Sequence, residues 1–180
     1  MTRAFATPSP TGAKDIWKIA AWLQPREILL DVDLRDRAHA CEFLGAEIAR
    51  SHGLEAGPIA RALWRREQAA STGLGHGFAI PHARVGGIER PITLFARAAR
   101  AVDFQAPDGA PVSQLLAIIV PEQGARDDHL QMLALIAQLL SDGTFRERLA
   151  RALQATEVAV TFRSGITQAA DSLSGPLSGS

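Results

Sequence analysis

His82 closes a stretch, Ser71 to Arg84, that reads Ser-Thr-Gly-Leu-Gly-His-Gly-Phe-Ala-Ile-Pro-His-Ala-Arg. An unperturbed imidazole titrates near about 6.5, so it is largely neutral and nucleophilic near pH 7. Glycines at alternate positions, Gly73, Gly75 and Gly77, allow backbone angles closed to other residues and let another backbone or a ligand come close. Phe78, Ala79 and Ile80 form a short apolar run. Pro81 lacks an amide hydrogen and ends that run as a central strand. His82 is thereby predicted where a buried strand meets a loop, a rigid support for a reactive side chain. Taken alone, such a stretch reads first as a tight loop with a structural or solvated histidine.

Familiar catalytic patterns do not fit. The glycines are not followed by Lys-Ser or Lys-Thr, so there is no Walker loop. No Gly-x-Ser-x-Gly nucleophile elbow is present. His76, His82 and His129 make a poor zinc set beside a single cysteine and no close His-Glu spacing. No metal and no cofactor is expected. His39 and His52 fall on helix surfaces or ends and are taken as incidental.

The order of residues carries more. Arg66-Glu67, Ser71-Thr72-Gly73, Gly75, Gly77 and Ile80-Pro81-His82 together resemble the active-site segment of phosphotransferase-system IIA domains. The resemblance is to the fructose/mannitol type, and best to its nitrogen-regulatory branch. It continues in Phe104 to Val112, in Val120-Pro121 and in His129-Leu130, and covers roughly residues 15 to 162. Ala83 stands where the family often has Gly, a tolerable departure.

The resemblance implies a phosphohistidine carrier. His82 would accept a phosphoryl group on Nε2 from an HPr/NPr-like phosphocarrier protein, charged ultimately from phosphoenolpyruvate. Phosphoryl transfer has a loose transition state, so positioning and positive charge matter most. His129, Arg66, Thr72 and Gly73 are expected to stabilise the group, with loop amides freed by the glycines. Regulatory target proteins would read the phosphorylation state, beside an apolar rim of Leu74, Phe78 and Ile80. Two alternatives stand beside this regulator: a IIA component that delivers phosphate to a fructose- or mannitol-type sugar permease, and a non-catalytic interaction module.

These residues need elements to hold them. The expectation is one α/β domain, a small mixed parallel/antiparallel sheet flanked by helices. Residues 1–13 read as a flexible lead-in, 14–163 as the domain and 164–180, rich in Gly, Ser and Pro, as a disordered tail. Ile16, Ile19, Ala20 and Leu23 mark a first helix stopped by Pro25. Ile28–Val32 reads as a strand. Asp33 or Asp36 caps the next helix, striped by Cys41, Leu44 and Ile48 and ended at Gly53. Pro58 opens a third helix in which Ile59, Ala62, Leu63 and Arg66 repeat, leaving Arg66 on the last turn. Without the resemblance, it reads there first as a solvated cation at the helix dipole.

Ile92–Ala96 reads as a strand, Pro107-Asp108-Gly109 as a turn, and Leu115–Val120 as a central strand covered on both faces. Asp127 or Asp128 would cap a helix that places His129 in its first turn, where the dipole and unpaired amides favour an anion. Thr144 and Glu147 suggest a capping box for a helix burying Phe145, Leu149, Ala152 and Leu153. A short helix is expected after Thr156.

Composition bounds the partners. The chain has 180 residues, 47% of them hydrophobic, with 19 basic and 19 acidic side chains balancing to zero. That size fits a single domain, and bulk charge suggests no nucleic acid. No apolar run approaches a membrane span and no signal peptide is visible, so a cytoplasmic protein without membrane insertion is the simplest reading. Cys41 is expected to be a buried, inert thiol.

Overall fold

The apolar run around Leu115 lies at the centre of a mixed sheet. The computed structural model describes residues 23–123 and 126–173. Among these the strands are β1 Ile28–Val32, β2 Gly73–Gly75, β3 Phe78–Ala79, β4 His82–Val85, β5 Ile92–Val102 and β6 Val112–Pro121. The helices are α1 Arg37–His52, α2 Ala56–Ala69, α3 Arg126–Ser141, α4 Gly143–Arg151 and α5 Ala155–Leu173. The sheet runs β1-β5-β6-β3-β2, and β4 also pairs with β6. β1 is parallel to β5, β5 antiparallel to β6, and both β3 and β4 parallel to β6.

Side chains alternate across a strand, so β6 feeds two cores. Leu116, Ile118 and Val120 pack with Met132, Ile136, Leu149 and Phe162 from α3, α4 and α5. Leu115, Ala117 and Ile119 pack with Leu44, Ile48, Ile59 and Leu63 from α1 and α2. The expected α/β domain is what forms, with helices on both faces of the sheet. Asp36 caps α1 by accepting from the His39 amide at 2.8 Å, and Gly53 ends it with φ of 66°. Burial pushes the Cys41 thiol up to about 12, an inert side chain at neutral pH.

Several expectations are corrected. β5 extends past Ala96 to Val102, because pairing with β6 overrides the weak strand preference of the Ala- and Arg-rich segment. α3 already includes Arg126, so neither Asp127 nor Asp128 caps it. α4 starts at Gly143, and its cap is Asp142, whose carboxylate accepts from the Thr144 amide at 2.9 Å. Leu153 lies beyond the end of α4 and is 82% exposed. The lead-in 1–13, the first helix up to residue 22, and residues 174–180 lie outside the described residues.

The largest correction is at the C-terminus. α5 runs through Ser164 to Leu173, so residues 164–173 are helix and not tail. Val158, Ala159, Phe162 and Ile166 form a buried stripe. Phe162 meets Phe95 edge-on at 5.7 Å and Phe145 at 5.3 Å, a favoured aromatic geometry. Gly165 reads as a breaker, yet it lets α5 approach α4: a Cβ there would lie 2.7 Å from Phe145 Cε2.

Candidate functional site

β6 dictates where His82 sits. β3 and β4 lie end to end along it, Ala79 opposite Leu115 and His82 opposite Ile118. The ladder breaks between them, since Pro81 offers no N–H. The Ile80 amide turns the other way and donates to the Thr72 carbonyl at 2.9 Å, while the Pro81 carbonyl accepts from Ile118 at 2.9 Å. The Ile80 carbonyl meets the His82 ring: Nδ1 lies 2.7 Å from it. A carbonyl only accepts, so Nδ1 carries the hydrogen and Nε2 presents its lone pair.

Arg66 selects the same tautomer independently. Its Nε donates to His82 Nε2 at 3.1 Å, and a guanidinium has no acceptor, so Nε2 must be unprotonated. Its Nη1 donates to the Ala70 carbonyl at 2.7 Å, pinning the side chain to the end of α2. The ring titrates below its ordinary value of 6.5. Burial is the main cause, the Ile80 carbonyl works against it, and the Arg66 charge adds to the lowering. A neutral imidazole with a directed Nε2 lone pair can act as a nucleophile, and a cation sits beside that nitrogen.

Glu67 has no role in the sequence reading, yet it builds the neighbouring loop. It is 1% exposed. Its Oε2 accepts from the Thr72 amide at 3.0 Å and from Thr72 Oγ1 at 2.5 Å. Its Oε1 lies 3.6 Å from Arg37 Nη1 of α1. The signal was available: Ile59, Leu63 and Glu67 are the buried stripe of α2, four residues apart. A carboxylate on an apolar face demands partners. Reading Arg66 into that stripe hid it.

Thr72 and Gly73, expected to stabilise the group, direct their traced donors into the loop itself. Thr72 is buried and both its donors go to Glu67. The Gly73 amide goes to Ser71 Oγ at 3.0 Å, and that hydroxyl donates to the Phe104 carbonyl at 2.5 Å. The glycine loop is the β2–β3 hairpin, with Gly75, His76 and Gly77 at φ of 91°, 54° and 79°. Its tip faces Asp108, which accepts from the amides of His76 at 2.7 Å and Ala110 at 3.0 Å. Those amides hold the Asp108 carboxyl below its ordinary value, that of His76 foremost. Gly75 and Gly77 serve turn positions at positive φ that side chains rarely adopt, and the traced amides are engaged within the loop.

His129 is the fourth residue of α3, whose start follows the β6 end that runs alongside β4. The role expected of its side chain lies outside the described residues. Phe78 and Ile80 are buried core, so of the expected apolar rim only Leu74 is exposed. Among the described residues no group of three or more His, Cys, Asp or Glu is placed to hold a metal ion. None of the described helices is long and apolar enough to cross a membrane.

Known proteins share this fold. Residues 21–164 match the family described as "Phosphoenolpyruvate-dependent sugar phosphotransferase system, EIIA 2". The chain is 36% identical over 125 residues to a nitrogen regulatory protein of Bradyrhizobium diazoefficiens, covering 69% of this chain and 81% of that one. It is 42% identical over 91 residues to the fructose-specific EIIA component of Haloferax volcanii, covering 51% of this chain and 58% of that one. The crystal structure of the nitrogen regulatory protein IIA-Ntr from Neisseria meningitidis superposes with a TM-score of 0.75 at 35% identity, covering 80% of this chain and 98% of that one.

Proposed function

This chain belongs to the EIIA 2 family of the phosphoenolpyruvate-dependent sugar phosphotransferase system, and from that premise we propose that it is a cytoplasmic phosphohistidine carrier that works mainly as a regulator. His82 accepts the phosphoryl group on Nε2 from an HPr/NPr-like phosphocarrier protein. The observation that carries this reading is the doubly fixed imidazole, with Nδ1 on the Ile80 carbonyl and Nε2 facing Arg66. In the transfer, the Nε2 lone pair forms an N–P bond as the bond between phosphorus and the donor's histidine breaks. No proton need leave Nε2, because it carries none. Arg66 turns from the ring nitrogen to the incoming phosphoryl oxygens, and its charge opposes the build-up of negative charge there. His129, at the start of α3, is the second stabilising group. Thr72 and Gly73 act through the loop they anchor.

The regulatory reading is favoured over sugar delivery by the resemblance to nitrogen regulatory proteins over most of both chains. Incubation with phosphoenolpyruvate, the general first enzyme of the system and a phosphocarrier tests the proposal. Labelled phosphate should enter the wild-type chain, be lost in acid and kept in base, and be absent from His82→Ala. Equal labelling of that variant would remove His82 from the role.

A further inference from the structure

A second set of polar groups lies away from Arg66. At the starts of β1 and β5, by the C-terminal end of α1, Arg26, Glu27, His52, Arg90 and Thr93 line a cleft of about 350 Å³. Thr93 is 1% exposed, and its Oγ1 is buried without a hydrogen-bond partner. His52 Nε2 is likewise buried and unsatisfied. Buried polar atoms left unpaired are costly, and they recur where a ligand or ordered water completes them.

The charges in the cleft are unequal. Glu27 Oε2 accepts from the Gln24 amide at 2.7 Å, and Glu27 Oε1 is 3.5 Å from both Arg26 Nε and His52 Nε2. Burial holds the His52 ring below its ordinary value; Glu27 opposes this, while Arg26 and Arg90 add to it. A neutral His52 leaves Glu27 balanced by Arg26. Arg90 is exposed, and among the described residues no carboxylate pairs with it. Net positive charge therefore borders two buried groups that can donate hydrogen bonds.

We propose that this cleft binds a small molecule through an oxyanion group, a carboxylate or a phosphate ester, at a site separate from the phosphoryl acceptor. Arg90 faces the anion as a planar fork suited to either group. The Thr93 hydroxyl, and His52 in the tautomer that carries its hydrogen on Nε2, complete its hydrogen bonds. The volume is at the small-ligand end of the usual range of about 300–1,000 Å³. Thr93 and His82 both register with Ile118 of β6, which places them two strands apart, about 10 Å.

Titrating the full chain with succinate and, separately, with inorganic phosphate, followed by amide chemical shifts, tests this. At least one anion should give saturable shifts at Glu27, His52 and Thr93, and the pair of titrations tells carboxylate from phosphate recognition. Arg90→Ala should weaken that binding on the order of tenfold. Thr93→Val, which keeps the shape and removes the hydroxyl, should weaken it less, and Arg66→Ala not at all. The proposal is overturned if neither anion saturates those residues, if Arg90→Ala binds with wild-type affinity, or if the shifts are confined to His82 and Arg66.

Discussion

Arg66 Nε donates to His82 Nε2 at 3.1 Å. An arginine against a histidine ring would normally be read as repulsion. Here the ring is neutral and its Nδ1–H is held by the Ile80 carbonyl, so the contact is a charge-assisted hydrogen bond to the nucleophilic atom. Under the proposed function, the same cation that stabilises the resting lone pair would meet the phosphoryl oxygens once that pair has been used.

Arg66→Ala is therefore expected to slow phosphoryl acceptance on the order of a hundredfold, the usual loss when one preorganised charge donor is removed. Arg66→Lys should recover part of the rate, lacking the fork that reaches Ala70 and His82 together. Single-turnover transfer from a phosphorylated carrier measures this. A wild-type rate in Arg66→Ala would return Arg66 to the role of a helix-end cation.

The lowered titration of His82 gives a pH signature. Its folded value lies below 6.5, mainly through burial. Acceptance should thus hold steady as pH falls through about 6.5 and decline only lower. Stability follows the same sign. Above about 6.5 the ring is neutral in both states; below it the unfolded chain binds a proton that the folded ring resists, so stability falls with acidification. Arg66→Ala should move the His82 midpoint upward, by removing one of the two causes that lower it. Ring-proton NMR titration measures both midpoints, and a wild-type midpoint at or above 6.5 contradicts the burial argument.

How far the sequence reveals this site depends on which contacts are local. Pro81 forbids a ladder bond, and a proline between an apolar run and a histidine is visible in one dimension; that the chain returns to β6 at His82 as β4, where a loop is expected, is not. The hairpin glycines are visible too, and so is Ser71, two residues before Gly73, whose amide donates to it, but Asp108, which takes the His76 amide, lies across a turn whose approach only the fold determines. Hence the loop resembles an anion cradle in sequence. α5 was hidden for a related reason. Ser164-Gly165 is a weak helix sequence, and packing of Ile166 and Phe162 on the sheet, unseen in the local pattern, overrides it.

Glu67→Ala is expected to destabilise the chain by about 1–3 kcal/mol, since both Thr72 donors then lack their buried acceptor. For a domain of this size that is a fall in melting temperature of roughly 2–12 °C. Glu67→Gln keeps an acceptor oxygen and should lose less. Thermal melts give the ranking, and identical losses for the two variants would show that charge, not acceptance, is what Thr72 requires.

Gly165→Ala opposes two effects of known size. In an exposed helix the change stabilises by about 1 kcal/mol. Here the new Cβ meets Phe145 Cε2 at 2.7 Å, and that ring is locked against Phe162, so overpacking of about 1–3 kcal/mol should prevail. Ile166→Ala should cost about 2–5 kcal/mol. A chain ending at Ser164 should melt well below the full chain. Unchanged melting of that truncation would mean that the last turns of α5 contribute nothing to the core.

The last prediction separates regulation from sugar delivery. Phosphorylation adds roughly −1.5 to −2 charge at Nε2, at a point where the surface beside the ring presents Arg66. The added charge draws the guanidinium from the ring nitrogen to the phosphoryl oxygens and reverses the sign that a docking partner meets. With Phe78 and Ile80 in the core, little apolar surface from this loop remains to hold a partner through that reversal, so the change in charge should dominate the choice of partner. Phosphorylated and free chains, used as bait in a cytoplasmic extract, should therefore retain different proteins. Raising the salt concentration should narrow the difference, because exposed charges are screened. The phosphorylated chain should also fail to pass its group to a fructose- or mannitol-type permease domain. Rapid transfer to such a domain, with sugar phosphate appearing, would replace the regulator with a sugar-delivering IIA component while leaving His82 as the acceptor.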